Sequence, residues 1–315
     1  MNLREAIKAR LKSISRAALL KDDMEKLLVL QSIAIESYRR SHRFRPSSLK
    51  DLEYKVFSQF GDDGILAYLT RNIPRSHRRF IEFGVETYHE SNTRLLLLRE
   101  YWSGLVIDGN KKYVDEIKRH PHFWTRDLTA INAFVTKENI SSILLENAYT
   151  KNIGVLSIDI DGNDFWIWQA LEHVQPLIVV CEYNGLFGKE LPVSTPYTEN
   201  FIRTNAHPSN LYFGASINAL VWLGETKGYR FVGCNQAGNN AYFCRNDFDP
   251  GIECTTISEG YIFPSFREAR APNGRLLLEP QRDALRQIKD LPLVNVRTHE
   301  RLAVREATAI LENCE

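Results

Sequence analysis

The chain has 315 residues, of which 43% are hydrophobic and 25% are charged, and this composition excludes disordered, collagen-like and fibrous proteins. Forty basic and thirty-nine acidic side chains give a net charge of +1, so no global field favours nucleic acid or an anionic membrane. The charge is uneven, because residues 1–50 carry twelve basic and five acidic side chains, a net charge of +7, against −6 for the other 265 residues. An anionic partner is therefore expected to meet the N-terminal segment first.

The cysteines and the apolar stretches indicate a reduced, cytoplasmic chain. The cysteines are odd in number, and no two of them are spaced as a Cys-x-x-Cys pair, so neither a disulfide framework nor a redox motif is predicted. They are Cys181, Cys234, Cys244, Cys254 and Cys314. The most apolar stretch near the N-terminus, residues 27–35, is far too short to span a bilayer.

Residues 2–43 carry apolar side chains at helical spacing with Lys and Arg between them. Asp22 and Asp23 mark a break, so the pattern predicts two amphipathic helices. We interpret residues 1–50 as a basic helical arm. Such an arm packs on the main domain, contacts a second subunit in a homo-oligomer, or lies on an anionic membrane surface.

From residue 79 onward, short apolar runs of strand type alternate with helical runs. Strands that are apolar on both faces and alternate with helices imply a parallel sheet covered by helices on both faces, which is the α/β class. The predicted strands are 79–84, 104–108, 122–125, 154–159 and 176–182, and the predicted helices are 93–101, 113–119, 136–147 and 165–173.

The sheet is predicted to end in an antiparallel hairpin. A helix over about 214–227 leads into apolar runs at 229–234 and 240–245, which are joined by the turn-forming sequence Asn-Gln-Ala-Gly-Asn. We therefore predict a Rossmann-like domain over residues 51–248 and a C-terminal extension over 249–315 that packs on it.

Polar residues follow the first three predicted strands in a pattern typical of nucleoside binding. Gly84 lies at the first strand-to-helix turn, but Glu86 stands where a second glycine would accommodate a pyrophosphate, so a dinucleotide is disfavoured. Asp108 ends the second strand, twenty-six residues after Glu82, where a carboxylate accepts ribose hydroxyls. Asp127 is expected to follow the third strand and meet an adenine, or else to cap a helix. This layout is that of a class I S-adenosylmethionine-dependent methyltransferase.

Several longer motifs resemble those of FkbM-related methyltransferases, over roughly residues 50 to 295. They are residues 58–65 (SQFGDDGI), 82–86 (EFGVE), 90–93 (ESNT), 157–164 (SIDIDGND), 181–184 (CEYN), 209–215 (SNLYFGA) and 237–241 (AGNNA). The resemblance implies methyl transfer with S-adenosylmethionine as cofactor, in a group associated with glycan and polysaccharide biosynthesis. The expected cofactor-binding residues are Gln59, Glu82, Gly84, Glu86, Asn92, Asp108 and Asp127.

Carboxylates cluster after the fourth predicted strand. Asp159 and Asp161 are expected to share one face because side chains alternate along a strand, and Asp164 begins the next helix. The sequence DIDGND resembles the start of a calcium loop, but the bidentate Glu at position 12 of such a loop is missing, so an EF-hand is disfavoured. Three interpretations stay open. In the first, a Mg²⁺ or Mn²⁺ ion is bound by Asp159, Asp161 and Glu182 and lowers the pKa of an acceptor hydroxyl. In the second, Asp159 or Asp161 acts as general base without metal. In the third, the cluster is structural.

The acceptor is predicted from the loop that follows the fifth strand. Residues 183–209 combine aromatic side chains with Asn and Thr, which suits a carbohydrate, and His207 in this loop is a candidate general base. We therefore predict O-methylation of a sugar or a glycan-related small molecule. The alternatives are N- or O-methylation of a non-sugar molecule or a protein, and a catalytically silent adenosyl-binding scaffold.

Overall fold

The computed structural model describes residues 23–265, 269–277, 283 and 285–312, and the chain divides between Arg45 and Pro46 into two units. In the first unit, residues 23–41 are helical (α1), and an Arg39–Glu36 ion pair of 2.9 Å joins successive turns. The first of the two helices predicted for the arm lies outside the described residues. The contact expected of the arm with a subunit or a membrane stays a prediction.

A seven-stranded sheet forms the centre of the second unit. Its strands are β1 (Arg79–Phe83), β2 (Ser103–Asp108), β3 (Leu128–Asn132), β4 (Val155–Ile158), β5 (Ile178–Glu182), β7 (Tyr229–Cys234) and β8 (Asn240–Arg245). The strand order is β3-β2-β1-β4-β5-β8-β7, and β1 to β5 are parallel while β8 is antiparallel to both of its neighbours. The predicted mostly parallel, Rossmann-like sheet with a terminal antiparallel hairpin is confirmed.

Helices precede, connect and follow the strands of this sheet. They are α2 (Asp62–Leu69), α3 (Arg94–Glu100), α4 (Lys111–Arg119), α5 (Pro121–Thr125), α6 (Ile140–Glu146), α7 (Asp164–Ala170), α8 (Arg203–Ala206), α9 (Ile217–Thr226) and α10 (Ile257–Gly260). The chain moves outward from β1 to β3 and then returns to β4 and β5 on the other side. Because crossovers between parallel strands are right-handed, the helices of the two halves cover opposite faces. Accordingly α6 contacts α7, and α7 contacts α9.

The third strand differs from its prediction. Residues 122–125 were expected to form a strand because Phe, Trp and Thr favour strands, but they belong to α5. Pro121 occupies the first turn of that helix, where its missing N–H costs nothing, and His120 caps the turn by accepting the N–H of His122 at 3.3 Å. The third strand is instead β3, which begins after Asp127.

The residues after β8 pack on the same unit. A second, three-stranded sheet combines β6 (Val193–Ser194) with β9 (Pro292–Asn295) and β10 (Arg301–Ala303), and helix α11 (Val304–Glu312) follows it. Tyr261 donates its hydroxyl to the carbonyl of Gly185 at 2.7 Å, so the segment after β8 also contacts the loop after β5. Among the described residues, no helix combines the length and the apolar character needed to cross a membrane.

Candidate active site at the carboxyl ends of the strands

The carboxyl ends of β1 and β4 meet where the strand order reverses, which is where open parallel sheets bind ligands. Gly84 directly follows β1 with a φ of +71°, and its N–H donates to the carbonyl of Ile107 at 3.0 Å. A Cβ at this position would lie 1.6 Å from the carbonyl oxygen of Asp159. Only glycine therefore lets the two strand ends approach this closely.

Glu82 organises the loop that follows this turn. Its carboxylate accepts the hydroxyls of Ser91 and Thr93 at 2.5 Å each, and the N–H groups of Asn92 at 2.9 Å and Thr93 at 3.1 Å. Burial raises the pKa of Glu82, and these hydrogen bonds oppose that shift. Glu82 lines the cleft, but most of its acceptor capacity serves its own loop, and its predicted role in cofactor binding stays a prediction.

Asp108 keeps acceptor capacity for a ligand. It ends β2, and its two oxygens accept one backbone N–H each, from Glu86 at 2.8 Å and from Asn110 at 2.7 Å. A carboxylate has about four lone-pair sites, so both oxygens have room for one more donor. Asp108 lines the cleft, and burial raises its pKa. The arrangement suits the two neighbouring hydroxyls of a ribose.

Asp127 lies away from this edge, so its predicted place after the third strand is wrong. Because residues 122–125 are helical, Asp127 precedes β3 and lies at the amino end of the parallel strands. There its carboxylate accepts the hydroxyl of Ser103, the first residue of β2, at 2.5 Å. The segment that follows β3 and lines the cleft is Ala133, Phe134 and Val135.

Three carboxylates meet at the ends of β4 and β5. One oxygen from each of Asp159, Asp164 and Glu182 lies within 4.8 Å of the other two. Burial, and after it the negative charge of neighbouring carboxylates, raises the pKa of Asp159 and of Glu182 well above the usual range. Burial raises the pKa of Asp164 to about 6, although this carboxylate accepts the N–H groups of Ile160 and Gly162.

Asp161 does not belong to this group. Strand β4 ends at Ile158, so the alternation that was expected to place Asp159 and Asp161 on one face does not extend to Asp161, whose φ is +59°. Its side chain is 63% exposed and forms an ion pair with Arg203 at 2.9 Å. The predicted ligand set of Asp159, Asp161 and Glu182 therefore requires correction, because Asp164 stands in the place expected for Asp161.

The segment that borders the cleft beside Asp161 belongs to the loop predicted for the acceptor, but Phe201 and Arg203 were not singled out from the sequence. Arg203 lies at the start of α8, donates to the carbonyl of Asn210 at 2.7 Å, and stacks over the ring of Phe213 at 3.5 Å. Phe201 packs against Gly162, where a Cβ would lie 2.2 Å from the Phe201 ring. Since Arg203 pairs with Asp161, this segment is fixed next to the strand ends.

His207 follows α8 but does not line the cleft. Its Nδ1 accepts the N–H of Ser209 at 3.2 Å and lies 2.8 Å from the hydroxyl of the same residue. Burial lowers the pKa of His207. The imidazole thus serves the local turn, and the structure gives no support to its predicted role as general base.

These strand ends enclose a cleft of about 1040 Å³. Nine of the predicted site residues line it, namely Gln59, Glu82, Gly84, Glu86, Asn92, Asp108, Asp159, Asp161 and Glu182. Asn163, Phe134, Phe201, Arg203, Asn239 and Asn240 line it as well and were not predicted. A second cavity of about 470 Å³ shares part of this lining, including Phe134, Phe201 and Arg203, and adds Asn210 and Arg270.

The strand order with one antiparallel strand, the Gly84 turn and Asp108 at the end of β2 define a Rossmann-like fold of the class I methyltransferase type. No protein-family model matches the chain, and a comparison with curated proteins found no match. Among solved structures, the chain is similar to PKMT2 from Rickettsia typhi in complex with AdoHcy, at 9% identity and a TM-score of 0.39. This match covers 60% of the present chain and 53% of the other, so the chain spans about half the length of that protein.

Two further solved structures illustrate the same likeness. An O-methyltransferase from Bacillus cereus in complex with SAH is 10% identical, with a TM-score of 0.38 and coverage of 69% of this chain and 88% of the other. The N-terminal domain of EvdMO1 with SAH bound is 12% identical, with a TM-score of 0.38 and coverage of 67% and 94%. The strand order described above, rather than these distant matches, defines the fold.

Proposed function

We propose that this protein is an S-adenosylmethionine-dependent methyltransferase that methylates a hydroxyl group of a sugar or a glycan-related small molecule. The observation that carries the proposal is the pair of adjoining cavities at the carboxyl ends of the strands. One contains the nucleoside-type edge of Gly84 and Asp108, and the other shares Asp161, Phe201 and Arg203 with it. Two adjoining cavities suit a donor and an acceptor better than they suit an adenosyl-binding scaffold.

The residues of the larger cavity fit the proposed donor. Asp108 offers two carboxylate oxygens with spare acceptor capacity for ribose hydroxyls, and Gly84 lines the same cleft, where it lets the ends of β1 and β4 approach each other closely. Phe134, which follows β3 and is 43% exposed, offers an aromatic face to an adenine. When bound, the donor supplies an already activated methyl group, so the protein chiefly has to align the acceptor and take up its proton.

Asp159 is the side chain that we assign to proton uptake. It lines the cleft beside the Gly84 turn, and burial together with Asp161 raises its pKa well above the usual range. A carboxylate with a raised pKa is a better general base near neutral pH than an ordinary aspartate. The hydroxyl proton of the acceptor would pass to this carboxylate as the oxygen gains the methyl group.

A carbohydrate acceptor is supported by the lining of the smaller cavity. Phe201 offers an aromatic face, and Asn210, Arg203 and Arg270 add polar groups. The amide of Asn184, also in the loop expected to suit a sugar, is instead consumed by the carbonyls of Leu211 and Phe213. The resemblance to FkbM-related methyltransferases, a group associated with glycan and polysaccharide biosynthesis, also favours a sugar acceptor.

Replacement of Asp108 by alanine is expected to weaken the binding of S-adenosylhomocysteine by roughly 10- to 150-fold. The lost hydrogen bonds involve a charged acceptor and are worth about 1.5–3 kcal/mol. Titration calorimetry measures the affinity, and circular dichroism checks that the variant is folded. Asp127→Ala is the matched control, because it removes a carboxylate at the opposite end of the same sheet and should leave the affinity unchanged. Equal affinities in both folded variants would remove Asp108 from the donor site.

An acceptor screen tests the reaction itself. The wild-type protein is incubated with labelled S-adenosylmethionine and separate panels of sugars, sugar nucleotides, amines and peptides, and S-adenosylhomocysteine is quantified. Release that depends on a hydroxylated sugar supports the proposal. Release that depends on amines or peptides assigns another acceptor class. Tight S-adenosylhomocysteine binding without turnover of any panel would favour the adenosyl-binding scaffold instead.

A further inference from the structure

The three carboxylates at the ends of β4 and β5 have the spacing of cation ligands. One oxygen of each of Asp159, Asp164 and Glu182 lies within 4.8 Å of the other two. Oxygen ligands stand about 2.0–2.6 Å from Mg²⁺, Mn²⁺ or Ca²⁺, so two ligands on opposite sides of one ion are separated by roughly 4–5 Å. A single hard cation can therefore contact all three carboxylates.

Unpartnered oxygens of two asparagines in the same cleft are a second, independent observation, and one oxygen of the group itself is unpartnered as well. Oε2 of Glu182 and the Oδ1 atoms of Asn163 and Asn240 are buried and accept no hydrogen bond from the described residues. Asn163 and Asn240 are only 2% and 3% exposed, and both line the cleft. Buried polar atoms without a partner are uncommon, because each has lost its contact with water. A cation, directly or through its bound waters, would satisfy acceptors of this kind.

The sheet register places one of these amides beside the group. Asn240 is the antiparallel partner of Glu182, and residues directly opposite each other in adjacent strands project to the same face. The amide nitrogen of Asn240 donates to Asp62 at 3.0 Å, which leaves Oδ1 as the unpartnered atom. Carboxylate and amide oxygens together are the donor set that hard divalent cations prefer.

The charge of the group is only partly compensated by its basic neighbour. Arg203 acts electrostatically on Asp159 and Glu182, but its guanidinium forms the 2.9 Å ion pair with Asp161. Buried carboxylates without paired cations are costly, and they take up protons or coordinate a metal. The group therefore has to hold either shared protons or a cation.

We propose that Asp159, Asp164 and Glu182 bind a divalent cation of the Mg²⁺ or Mn²⁺ type, with Asn163 and Asn240 as further oxygen donors, directly or through water. The role of such an ion in catalysis rests on the proposed function, since in the methyl-transfer cleft it would polarise an acceptor hydroxyl and lower its pKa. Proton uptake by Asp159 would then apply only to the cation-free cleft. The binding of the ion does not rest on the proposed function, because this binding is measured without donor or acceptor.

Titration of metal-free protein with MnCl₂ tests the site. Binding is measured by calorimetry and by the electron paramagnetic resonance signal of free Mn²⁺. We expect saturable binding of one ion. Glu182→Gln should weaken it by about tenfold or more, because one anionic ligand is lost while the side-chain shape is kept. Asp159→Asn should have the same effect and provides a second variant should the first fail to fold.

Asp161→Asn is the matched control for cation affinity. It removes a carboxylate from the same cleft, but one that is paired with Arg203 and lies outside the group, so the affinity should change by less than about threefold. No saturable binding in the wild-type protein would overturn the proposal and leave shared protons as the explanation. If Asp161→Asn lowered the cation affinity as much as Glu182→Gln does, the proposed ligand set would be overturned. Since S-adenosylhomocysteine binding is measured separately, failure of the cation site and failure of the donor site are distinguishable.

Discussion

Replacement of Gly84 by alanine is expected to cost about 3–5 kcal/mol of the free energy of unfolding and to abolish measurable S-adenosylhomocysteine binding. The new Cβ would lie 1.6 Å from the carbonyl oxygen of Asp159, which is backbone and cannot rotate away. The steric cost adds to the cost of a left-handed backbone at φ +71° for a residue with a side chain. Relief of the clash requires β1 and β4 to separate at the point where the proposed donor binds.

Gly274→Ala separates these two causes. Gly274 has a φ of +79°, close to that of Gly84, but a Cβ there would meet no described atom within 4 Å. The control therefore reports the backbone cost alone, about 1–2 kcal/mol, and should leave ligand affinity unchanged. Urea unfolding and titration calorimetry on both variants make the comparison. If Gly84→Ala were no more destabilising than Gly274→Ala, the close approach of the two strand ends would be refuted.

The fold was predictable from the sequence because its strands are buried on both faces. Apolar runs such as residues 104–108 and 176–182 have no polar face, so they indicate a covered parallel sheet without knowledge of tertiary contacts. The turn-forming residues between 234 and 240 indicate the hairpin, because the residue types in a short connection largely determine the turn that it forms. The error at residues 122–125 is local as well, since Pro121 at the first turn of a short helix outweighed the strand preference of Phe, Trp and Thr.

The candidate site was only partly predictable, because its members are brought together by tertiary structure. Asp108 and Gly84 were found because each is the last residue of a predicted strand. Asn240 was missed because only the pairing of β8 with β5 places it beside Glu182, fifty-eight residues earlier in the chain. The choice of Asp161 over Asp164 failed for another reason. The strand ended at Ile158, so the alternation rule was applied beyond its range.

Replacement of Asp63 by alanine is the second change for which we expect a large effect, a loss of about 3–6 kcal/mol of the free energy of unfolding. One carboxylate oxygen of Asp63 accepts the N–H groups of residues 56, 57 and 58, each at 2.7 Å, and the hydroxyl of Ser58 at 2.8 Å. The side chain is 1% exposed, so alanine would leave three buried N–H groups without a partner, at about 1–3 kcal/mol each. This loop leads to Gln59, so the site should loosen as well.

Asp51→Ala is the matched control for burial. Asp51 accepts a similar set of donors, the N–H and hydroxyl of Ser47 and the N–H of Ser48, but these hydrogen bonds are exposed to solvent. Water can replace the carboxylate there, so the expected loss is at most about 1 kcal/mol. Urea unfolding at neutral pH measures both variants, and the difference between them reports the cost of unpaired N–H groups in the interior.

The pH dependence of the two variants should have opposite signs. Burial raises the pKa of Asp63 to about 6, above its unfolded value of 3.8, so its contribution to stability is full below about pH 4 and declines as the pH rises through about 6. Hydrogen bonds from Ser47 lower the pKa of Asp51, so its contribution is present above the unfolded value and is lost as the pH falls below it. The cost of Asp63→Ala should therefore be larger at pH 4 than at pH 7.5, and that of Asp51→Ala smaller. The two variants could instead lose the same free energy of unfolding, with the same direction of change with pH. That result would contradict the buried role of the Asp63 carboxylate.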